Sequence, residues 1–514
     1  MKSNRIITII FILVVALIIA LAAYFINDRA QKSDEDPNSL IDNLAVVENM
    51  KLGITNYDTM NPFLTRNRDI INYDKLIFEP LVNITPDYHV TLCLAKDVNR
   101  IDDTKYEVKI DKDIKWQNGS NLKPEDVKFT IERLKERSCV YSNNVAAVES
   151  VDITGDDTCI IHLKYRVDFF EYNLSFPIMS SSYYEGEDFN TSSKIPIGTG
   201  MYKIASIDND NIFLIINDKW HKLKTNKPRT STITIHRYSA IGEMYNAFKL
   251  GNIDIISTKM GNYADYVGTM GYSRKEYIGR NFDFLSLNCN DSILSDVHVR
   301  RAIAFAINKE SLVSSVYGNN RVVSDNPMDY GSYLNSDENQ TYFSQDQARS
   351  ELTQGGWVDS GSGWVKDGVH LTITMTVPNN DQGRIDSANN IRTQLSYIGI
   401  NVRLSLVSYD NYLSIVNNKN YQMLFTGVQD SINPNLNYFY GEGNLANYNN
   451  SELISNIGYL DKYQDIIKQS NIDVPYIGLY RDKGTLILNA NVGGEFQCTS
   501  FNIYNNFDKW YRQQ

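Results

Sequence analysis

Cysteine and histidine are scarce in this 514-residue chain, and neither occurs at spacings that suggest a disulfide framework or a metal site. The five cysteines are widely separated and include no Cys-x-x-Cys pair, which indicates free, buried thiols. The six histidines include no His-x-x-x-His pair and lie near no pair of cysteines. The sequence therefore predicts no dedicated metal site and no resident cofactor.

Catalytic signatures and an excess of basic residues are also missing. The chain contains no Gly-x-Ser-x-Gly, no phosphate-binding Gly-x-x-x-x-Gly-Lys-Ser/Thr and no His-Glu-x-x-His, so the sequence predicts that the protein is not an enzyme. Its formal net charge is −11. Such an acidic surface argues against nucleic acid as a partner and against docking on anionic lipid.

Near the N-terminus lies an uncharged, mostly apolar stretch from Ile6 to Asn27. At 1.5 Å per helical residue it is long enough to cross a bilayer core of roughly 30 Å. Lys2 and Arg5 precede it and acidic residues follow from Asp28 onwards. By the positive-inside tendency, the N-terminus is expected in the cytoplasm and the large remainder outside the cell membrane.

Two fates are open for this apolar segment. Residues 1–27 are expected to be an uncleaved single-pass transmembrane anchor, with the polar residues 28–47 as a tether. The alternative is cleavage as a signal peptide near Ala20-Leu21-Ala22, which has the small-residue pattern such a site requires. In both cases the folded part is extracytoplasmic.

The rest of the chain alternates strands and helices. Apolar residues occupy every odd position from 369 to 377, which predicts a strand with one buried face. Ala388, Ile391, Leu395 and Ile398 recur at helical spacing, and Gly399 is expected to end that helix. A second alternating strand then buries the residues Ile400, Val402, Leu404 and Leu406. This strand–helix–strand unit predicts an α/β fold.

Another helix is predicted to begin after Asp296, whose side chain can cap it. Its buried face is expected to contain Val299 and Ile303, which leaves Arg300 and Arg301 on or near its outer side.

An ordered series of short motifs carries a family resemblance. The motifs are Phe-Glu-Pro-Leu-Val at 78–82, Trp-Gln-Asn-Gly at 116–119, Pro-Ile-Gly-Thr-Gly-Met-Tyr at 196–202, Asp-Val-His-Val-Arg-Arg-Ala-Ile at 296–303 and Gly-Ile-Asn-Val at 399–402. Their order and spacing resemble those of family 5 extracytoplasmic solute-binding proteins of ABC importers, the class for oligopeptides, dipeptides and nickel. The resemblance runs from about residue 50 to the C-terminus.

The resemblance implies a two-lobed, periplasmic-binding-protein-like α/β fold of type II, with an extra subdomain inserted into the first lobe. Mapped by motif order, residues 48–71, 196–283 and 475–514 form the core of lobe 1. Residues 72–195 form the inserted subdomain, and residues 284–474 form lobe 2. A cleft between the lobes can close on a ligand by hinge motion.

The function implied by the resemblance is capture of oligopeptides in that cleft by a monomer. Delivery would follow to ABC permease subunits that are driven by cytoplasmic ATPases. In peptide-binding members, a carboxylate four residues before a proline pairs with the α-ammonium group of the peptide. Asp430 lies at that spacing from Pro434, although it also suits a turn. Gly427, Gln429 and Asn61 are further candidates for the wall of the cleft.

Two departures from the family pattern bear on the ligand. Asn433 stands where an acidic residue is common, and Met375-Thr376-Val377 stands where dipeptide binders have an arginine for the ligand carboxylate. Longer peptides, whose carboxylate need not be fixed at one place, therefore fit better than dipeptides. The alternatives are a surface receptor for a signalling peptide and a binder of a non-peptide ligand such as nickel.

Overall fold

The computed structural model describes residues 46–47, 49–259, 271–318, 320–335 and 342–513. The predicted anchor at 1–27 lies outside these residues, as does almost all of the predicted tether. None of the helices within the described ranges is both long and apolar enough to cross a bilayer.

The strands of the described residues are numbered here in chain order. They are β1 (Val46–Val47), β2 (Asn49–Thr55), β3 (Val82–Ile84), β4 (Val90–Leu92), β5 (Ala95–Asp102), β6 (Lys105–Ile110), β7 (Val148–Ile153), β8 (Thr158–Leu163), β9 (Tyr202–Ile207), β10 (Asn211–Ile216), β11 (Thr232–Tyr238), β12 (Ile255–Thr258), β13 (Tyr272–Leu287), β14 (Arg321–Val323), β15 (Val358–Asp359), β16 (Trp364–Lys366), β17 (Val369–His370), β18 (Thr372–Pro378), β19 (Asn401–Val407), β20 (Met423–Gln429), β21 (Tyr476–Asn489), β22 (Val492–Gly493) and β23 (Tyr511–Gln513).

The α-helices are distributed along the chain between these strands. They are α1 (Arg68–Ile77), α2 (Pro124–Lys135), α3 (Ile241–Lys249), α4 (Val297–Ala306), α5 (Lys309–Tyr317), α6 (Gln345–Gln354), α7 (Gln382–Ser396), α8 (Tyr409–Asn418), α9 (Asn437–Tyr440), α10 (Ser451–Asn456) and α11 (Tyr463–Asp473).

One large mixed sheet extends through both lobes, in the strand order β19-β18-β20-β13-β21-β12-β2-β11-β10-β9. Its centre is the antiparallel pair of long strands β13 and β21. Towards lobe 2, β20 pairs with residues 281–287 of β13. Towards lobe 1, β12 pairs with residues 485–488 of β21. The same two strands therefore join the lobes.

A separate antiparallel sheet in the order β5-β6-β8-β7 lies within the segment predicted as the inserted subdomain. Its apolar face shares one continuous core with lobe 1, which includes the fully buried Trp116 and Trp510. Lobe 2 has its own cores, one of them around Ile303, Ile373 and Ile391. The domain boundaries given above stay a prediction.

The predicted strand–helix–strand unit is present as β18, α7 and β19, with a parallel pairing between the two strands. Ala388, Ile391, Leu395 and Ile398 are completely buried. Gly399 has a φ of +80°, a left-handed conformation that favours glycine. Leu406 is 50% exposed, so its predicted inward position is wrong. It lies near the end of β19, which is the edge strand of the sheet.

The predicted helix after Asp296 is α4, and Asp296 caps it by accepting a hydrogen bond from the His298 N–H at 3.0 Å. The prediction for Arg300 is wrong, because this side chain is buried. Its Nε donates to the carbonyl of Asp473 at 2.8 Å, and its Nη1 donates to the carbonyl of Leu294 at 2.8 Å. The arginine therefore satisfies one carbonyl at the end of α11, which packs over this part of α4, and a second carbonyl just before α4.

Candidate ligand-binding site between the lobes

Asp430 lies directly after β20, where its N–H donates to the carbonyl of Arg280 on β13 at 2.9 Å. Its side chain is only 9% exposed, and its carboxylate accepts a hydrogen bond from Nη1 of Arg481. A buried carboxylate requires a charged or hydrogen-bonding partner, since desolvation otherwise costs several kcal/mol. In this structure, that partner belongs to the protein itself.

Arg481 is fixed in place by the strands and loops around it. Its side chain on β21 is completely buried. Nε donates to Ser324 Oγ at 3.0 Å, and Nη2 donates to the carbonyl of Met328 at 2.9 Å. The guanidinium also lies over the ring of Phe282, 4.7 Å from its centroid. The arginine therefore retains several partners even without Asp430.

A second ion pair adjoins the first. Nε of Arg280 lies 3.2 Å from Oδ1 of Asp329, and both side chains are almost buried. We call Arg280, Asp329, Asp430 and Arg481 the paired cluster; its formal charges cancel. Burial raises the pKa of Asp430 to about 6, Arg481 opposes this shift, and the charge of Asp329 adds to it. Tyr88 also adjoins this cluster, next to Asp329 and Arg280.

Gly427 and Gln429 lie on β20 close to Asp430. Gly427 pairs with Asp283 of β13, and a Cβ at this position would collide with the guanidinium of Arg384. The glycine thereby leaves room for the ion pair between Arg384 Nη2 and Asp283 Oδ1 at 2.8 Å. Gln429 is exposed at the end of the strand. The structure thus brings these two candidates to the same strand end as Asp430.

Asn61 lies in a turn of lobe 1, and its described contacts are local. Its Oδ1 accepts from the Phe63 N–H at 3.0 Å, and its carbonyl accepts from the N–H groups of Leu64 and Thr65, each at 3.0 Å. These bonds account for the buried side chain as an organiser of the Asn-Pro-Phe turn. A ligand contact from Asn61, as from the other candidates, stays a prediction.

Asn433 has a structural role that an acidic residue could not fill. Its Nδ2 lies 2.9 Å from the carbonyl of Asp168, 3.1 Å from the carbonyl of Phe169 and 2.8 Å from Oδ1 of Asn173. All three partners are hydrogen-bond acceptors, and a carboxylate would repel them. Asn433, the residue that departs from the family pattern, therefore links the loop after β20 to the segment predicted as the inserted subdomain.

A cavity of about 390 Å³ lies beside this loop. Its lining combines Glu79 and Lys222 of the first part of the chain with Phe501 near the C-terminus and Ile432, two residues after Asp430. The volume is within the range of small-molecule and cofactor sites in proteins. The loop that carries Asp430 thus also contributes to a concave surface.

Sequence reasoning missed Arg280, Asp329 and Arg481. One signal was available, because Arg481 and Asp482 interrupt an otherwise mostly uncharged run in β21. A charged residue in a buried strand generally has a partner. The identity of that partner could not be found in the same way, since Asp430 lies 51 residues away.

Comparison with known proteins places this architecture in a family. The chain is 22% identical over 473 residues to the oligopeptide-binding protein AppA of Bacillus subtilis, covering 85% of this chain and 86% of that protein. It is 21% identical over 366 residues to the nickel-binding periplasmic protein of Escherichia coli, covering 68% and 69%. The unliganded open form of the periplasmic murein tripeptide-binding protein MppA superposes with a TM-score of 0.78 at 14% identity, covering 92% and 98%.

The structural likeness supports the two-lobed, mixed α/β solute-binding fold. The model of the family described as bacterial extracellular solute-binding proteins, family 5 (middle), matches residues 89–450. Members of this family are substrate-binding, non-catalytic components of ABC transporters, which confirms the prediction that the chain is not an enzyme. This chain belongs to the family 5 extracellular solute-binding proteins.

Proposed function

We propose that this protein captures oligopeptides in the cleft between its lobes and delivers them to an ABC permease driven by cytoplasmic ATPases. The observation that carries the proposal is Asp430, a buried carboxylate where the loop after β20 meets the joining strands β13 and β21. The oligopeptide-binding name of the Bacillus relative supports the ligand class. We further propose a monomer tethered by the apolar segment at 6–27.

In the proposed binding step, the α-ammonium group of a peptide takes the place of Arg481 as the partner of Asp430. Arg481 retains Ser324 Oγ, the Met328 carbonyl and the face of Phe282, so the exchange leaves the guanidinium with partners. The ammonium group gains a desolvated carboxylate, which is a stronger partner than water at a buried site. A peptide without a free amine gains no such pair.

The first experiment identifies the ligand and then tests the amine contact. Full-length protein is purified in mild detergent, its co-purified ligand is released by mild unfolding, and that ligand is analysed by mass spectrometry. A recovered peptide is then synthesised with a free and with an acetylated N-terminus. We expect the free peptide to bind the refolded protein at least about tenfold more tightly, because acetylation leaves Asp430 without a cationic ligand group.

The discriminating variant is Asp430→Asn, which keeps the shape of the side chain and removes its charge. We expect the two peptides to bind this variant with affinities within about twofold of each other. The matched control is Asp283→Asn, since the Asp283 side chain is also mostly buried, at 13% exposed, and paired with an arginine; it should retain the preference. Recovery of nickel or another non-peptide ligand would contradict the ligand class, and a preference that survives Asp430→Asn would contradict the site.

A further inference from the structure

Three side chains with metal-binding groups meet near the cavity, although they are far apart in the sequence. Glu79 follows α1, Cys93 follows β4, and His221 lies in the turn after β10. One ligand atom from each of them lies within 4.8 Å of the other two. The fold therefore assembles a carboxylate, a thiol and an imidazole that no sequence motif announces.

The carboxylate of Glu79 is the least satisfied group in this arrangement. The residue is 9% exposed. Its Oε1 accepts from Trp220 Nε1 at 3.1 Å and lies 3.1 Å from His221 Nε2. Its buried Oε2 has no hydrogen-bond partner among the described residues. A buried carboxylate oxygen without a partner is costly, which indicates that this position can accept a cation.

The donor set matches a metal of the zinc class. Zn²⁺ binds thiolate, imidazole and carboxylate groups in tetrahedral sites, with metal–nitrogen and metal–oxygen distances of about 2.0 Å that place two such ligands about 3.3 Å apart. The 3.1 Å separation of Glu79 Oε1 and His221 Nε2 is close to that value. The thiol of Cys93 adds the soft ligand that magnesium and calcium sites lack.

Lys222 supplies a positive charge at this place in the structure. Its Nζ lies 3.9 Å from Glu79 Oε1 and 3.8 Å from Cys93 Sγ. The side chain is 37% exposed, and a long lysine side chain can turn its ammonium group into solvent. An ammonium group this close to the ligand atoms opposes a metal ion by charge repulsion and can turn away when that ion binds.

We propose that Glu79, Cys93 and His221 form a binding site for a zinc-class divalent ion, with Lys222 as the competing cation. The ion would connect the segment that carries Glu79 and Cys93 to the turn of His221, beside the cavity that Glu79 and Lys222 line. This site is separate from Asp430 and does not depend on the proposed peptide ligand. Its fourth coordination position would take water.

The test uses full-length protein, stripped with a chelator and titrated with Zn²⁺ against a chromophoric zinc indicator. We expect one tightly bound Zn²⁺ per chain and a rise in the thermal unfolding midpoint, since a ligand that binds only the folded state stabilises it. Co²⁺ serves as the spectroscopic probe and should give a thiolate-to-cobalt charge-transfer band. Tight Zn²⁺ binding, the rise in the unfolding midpoint and the cobalt band should all be lost in Cys93→Ser and in His221→Gln.

Two further variants separate binding from damage to the fold. Cys159→Ser removes another buried free thiol and should keep the zinc stoichiometry and the cobalt band. Lys222→Met should bind Zn²⁺ roughly fivefold or more tightly, because a like charge about 4 Å from the ligands is removed. No zinc binding by the parent, binding that survives Cys93→Ser, or an unchanged affinity in Lys222→Met would overturn the proposal.

Discussion

At the scale of single residues, the ion pair of Asp430 with Arg481 means that a ligand amine has to compete with a cation of the protein itself. A carboxylate that waited unpaired for its ligand would carry the full cost of burial in the unliganded protein. Arg481 offsets part of that cost, and the neighbouring pair of Arg280 and Asp329 keeps the local charge balanced. Under the proposed function, peptide binding would exchange one cation for another at Asp430, so selectivity would depend on the difference in free energy between the two ion pairs.

The raised pKa of Asp430 predicts a pH dependence of peptide affinity. An ammonium ligand needs the ionised carboxylate, whose pKa is about 6 in the folded protein against an ordinary value of 3.8. Affinity should therefore be full well above pH 6 and should fall as the pH drops through 6, becoming roughly tenfold weaker at pH 5 than at pH 7. Calorimetric titration with the free-amine peptide measures this profile.

The Asp430→Asn variant is the control for that profile and should show little change over the same range. The contribution of Asp430 to folding stability should have the opposite pH dependence. A pKa raised on folding means that the contribution of Asp430 to stability is fully present below about pH 4 and is lost as the pH rises through about 6. A flat affinity profile in the parent would show that no ligand cation pairs with Asp430.

At the scale of secondary-structure elements, the start of α2 depends on one buried carboxylate. Asp126 accepts hydrogen bonds from Trp116 Nε1 at 3.0 Å, from the Lys123 N–H at 2.9 Å and from the N–H and Oγ of Ser181, each at 2.7 Å. Asp126→Ala leaves these donors without their acceptor and should lower the free energy of unfolding by about 3 kcal/mol. Urea denaturation provides the measurement.

Glu125→Ala is the matched control for the helix start. Glu125 lies in the same first turn but is exposed, so it contributes mainly through the helix dipole. Its loss should cost less than about 1 kcal/mol. Equal losses for the two variants would mean that the buried hydrogen bonds of Asp126 add nothing beyond a negative charge at the helix terminus.

The helices and strands were largely predictable from the sequence, whereas the tertiary contacts between them were not. Alternation and helical spacing predicted β18, α7 and β19, and Asp296 marked the start of α4, because these signals are local. The sequence predicts Arg300 on the outer side of α4, because nothing local indicates that α11 covers that part of the helix. The Asp430–Arg481 pair could not be predicted for the same reason, since it depends on how β20, β13 and β21 align.

At the scale of the whole molecule, β13 and β21 join the lobes, and their pairing shifts register between Ile278 and Phe282. Asp482 anchors this irregular stretch by accepting from the Asn281 N–H at 3.1 Å and from Lys259 Nζ at 2.6 Å. Such irregular strand segments can absorb the backbone rotations of a hinge. The connection between the lobes therefore combines a local interruption of the strand pairing with a buried aspartate that fixes it through hydrogen bonds.

Beyond that connection, Tyr333 and Asn433 of lobe 2 both contact the predicted inserted subdomain. The ring of Tyr333 stacks on the ring of His89 with centroids 3.8 Å apart. The backbone N–H of Tyr333 donates to the carbonyl of Asp87 at 3.1 Å. Asn433 provides the second contact through its bonds to the carbonyls of Asp168 and Phe169. Because both contacts connect the predicted lobe 2 to the predicted inserted subdomain, we expect them to oppose the opening of a cleft between these parts.

Asn433→Asp should shift the unliganded protein towards a more open form. The new carboxylate would face two carbonyl oxygens at close range, and the loss of the donor with added repulsion should cost about 2 kcal/mol. The expected result is a larger radius of gyration in small-angle X-ray scattering, together with a lower free energy of unfolding. Asn437→Asp places the same charge at an exposed position of the same region and should change neither quantity. If Asn433→Asp and Asn437→Asp behave alike, the Asn433 contact does not hold the two parts together, and the stacking of Tyr333 on His89 becomes the contact to test.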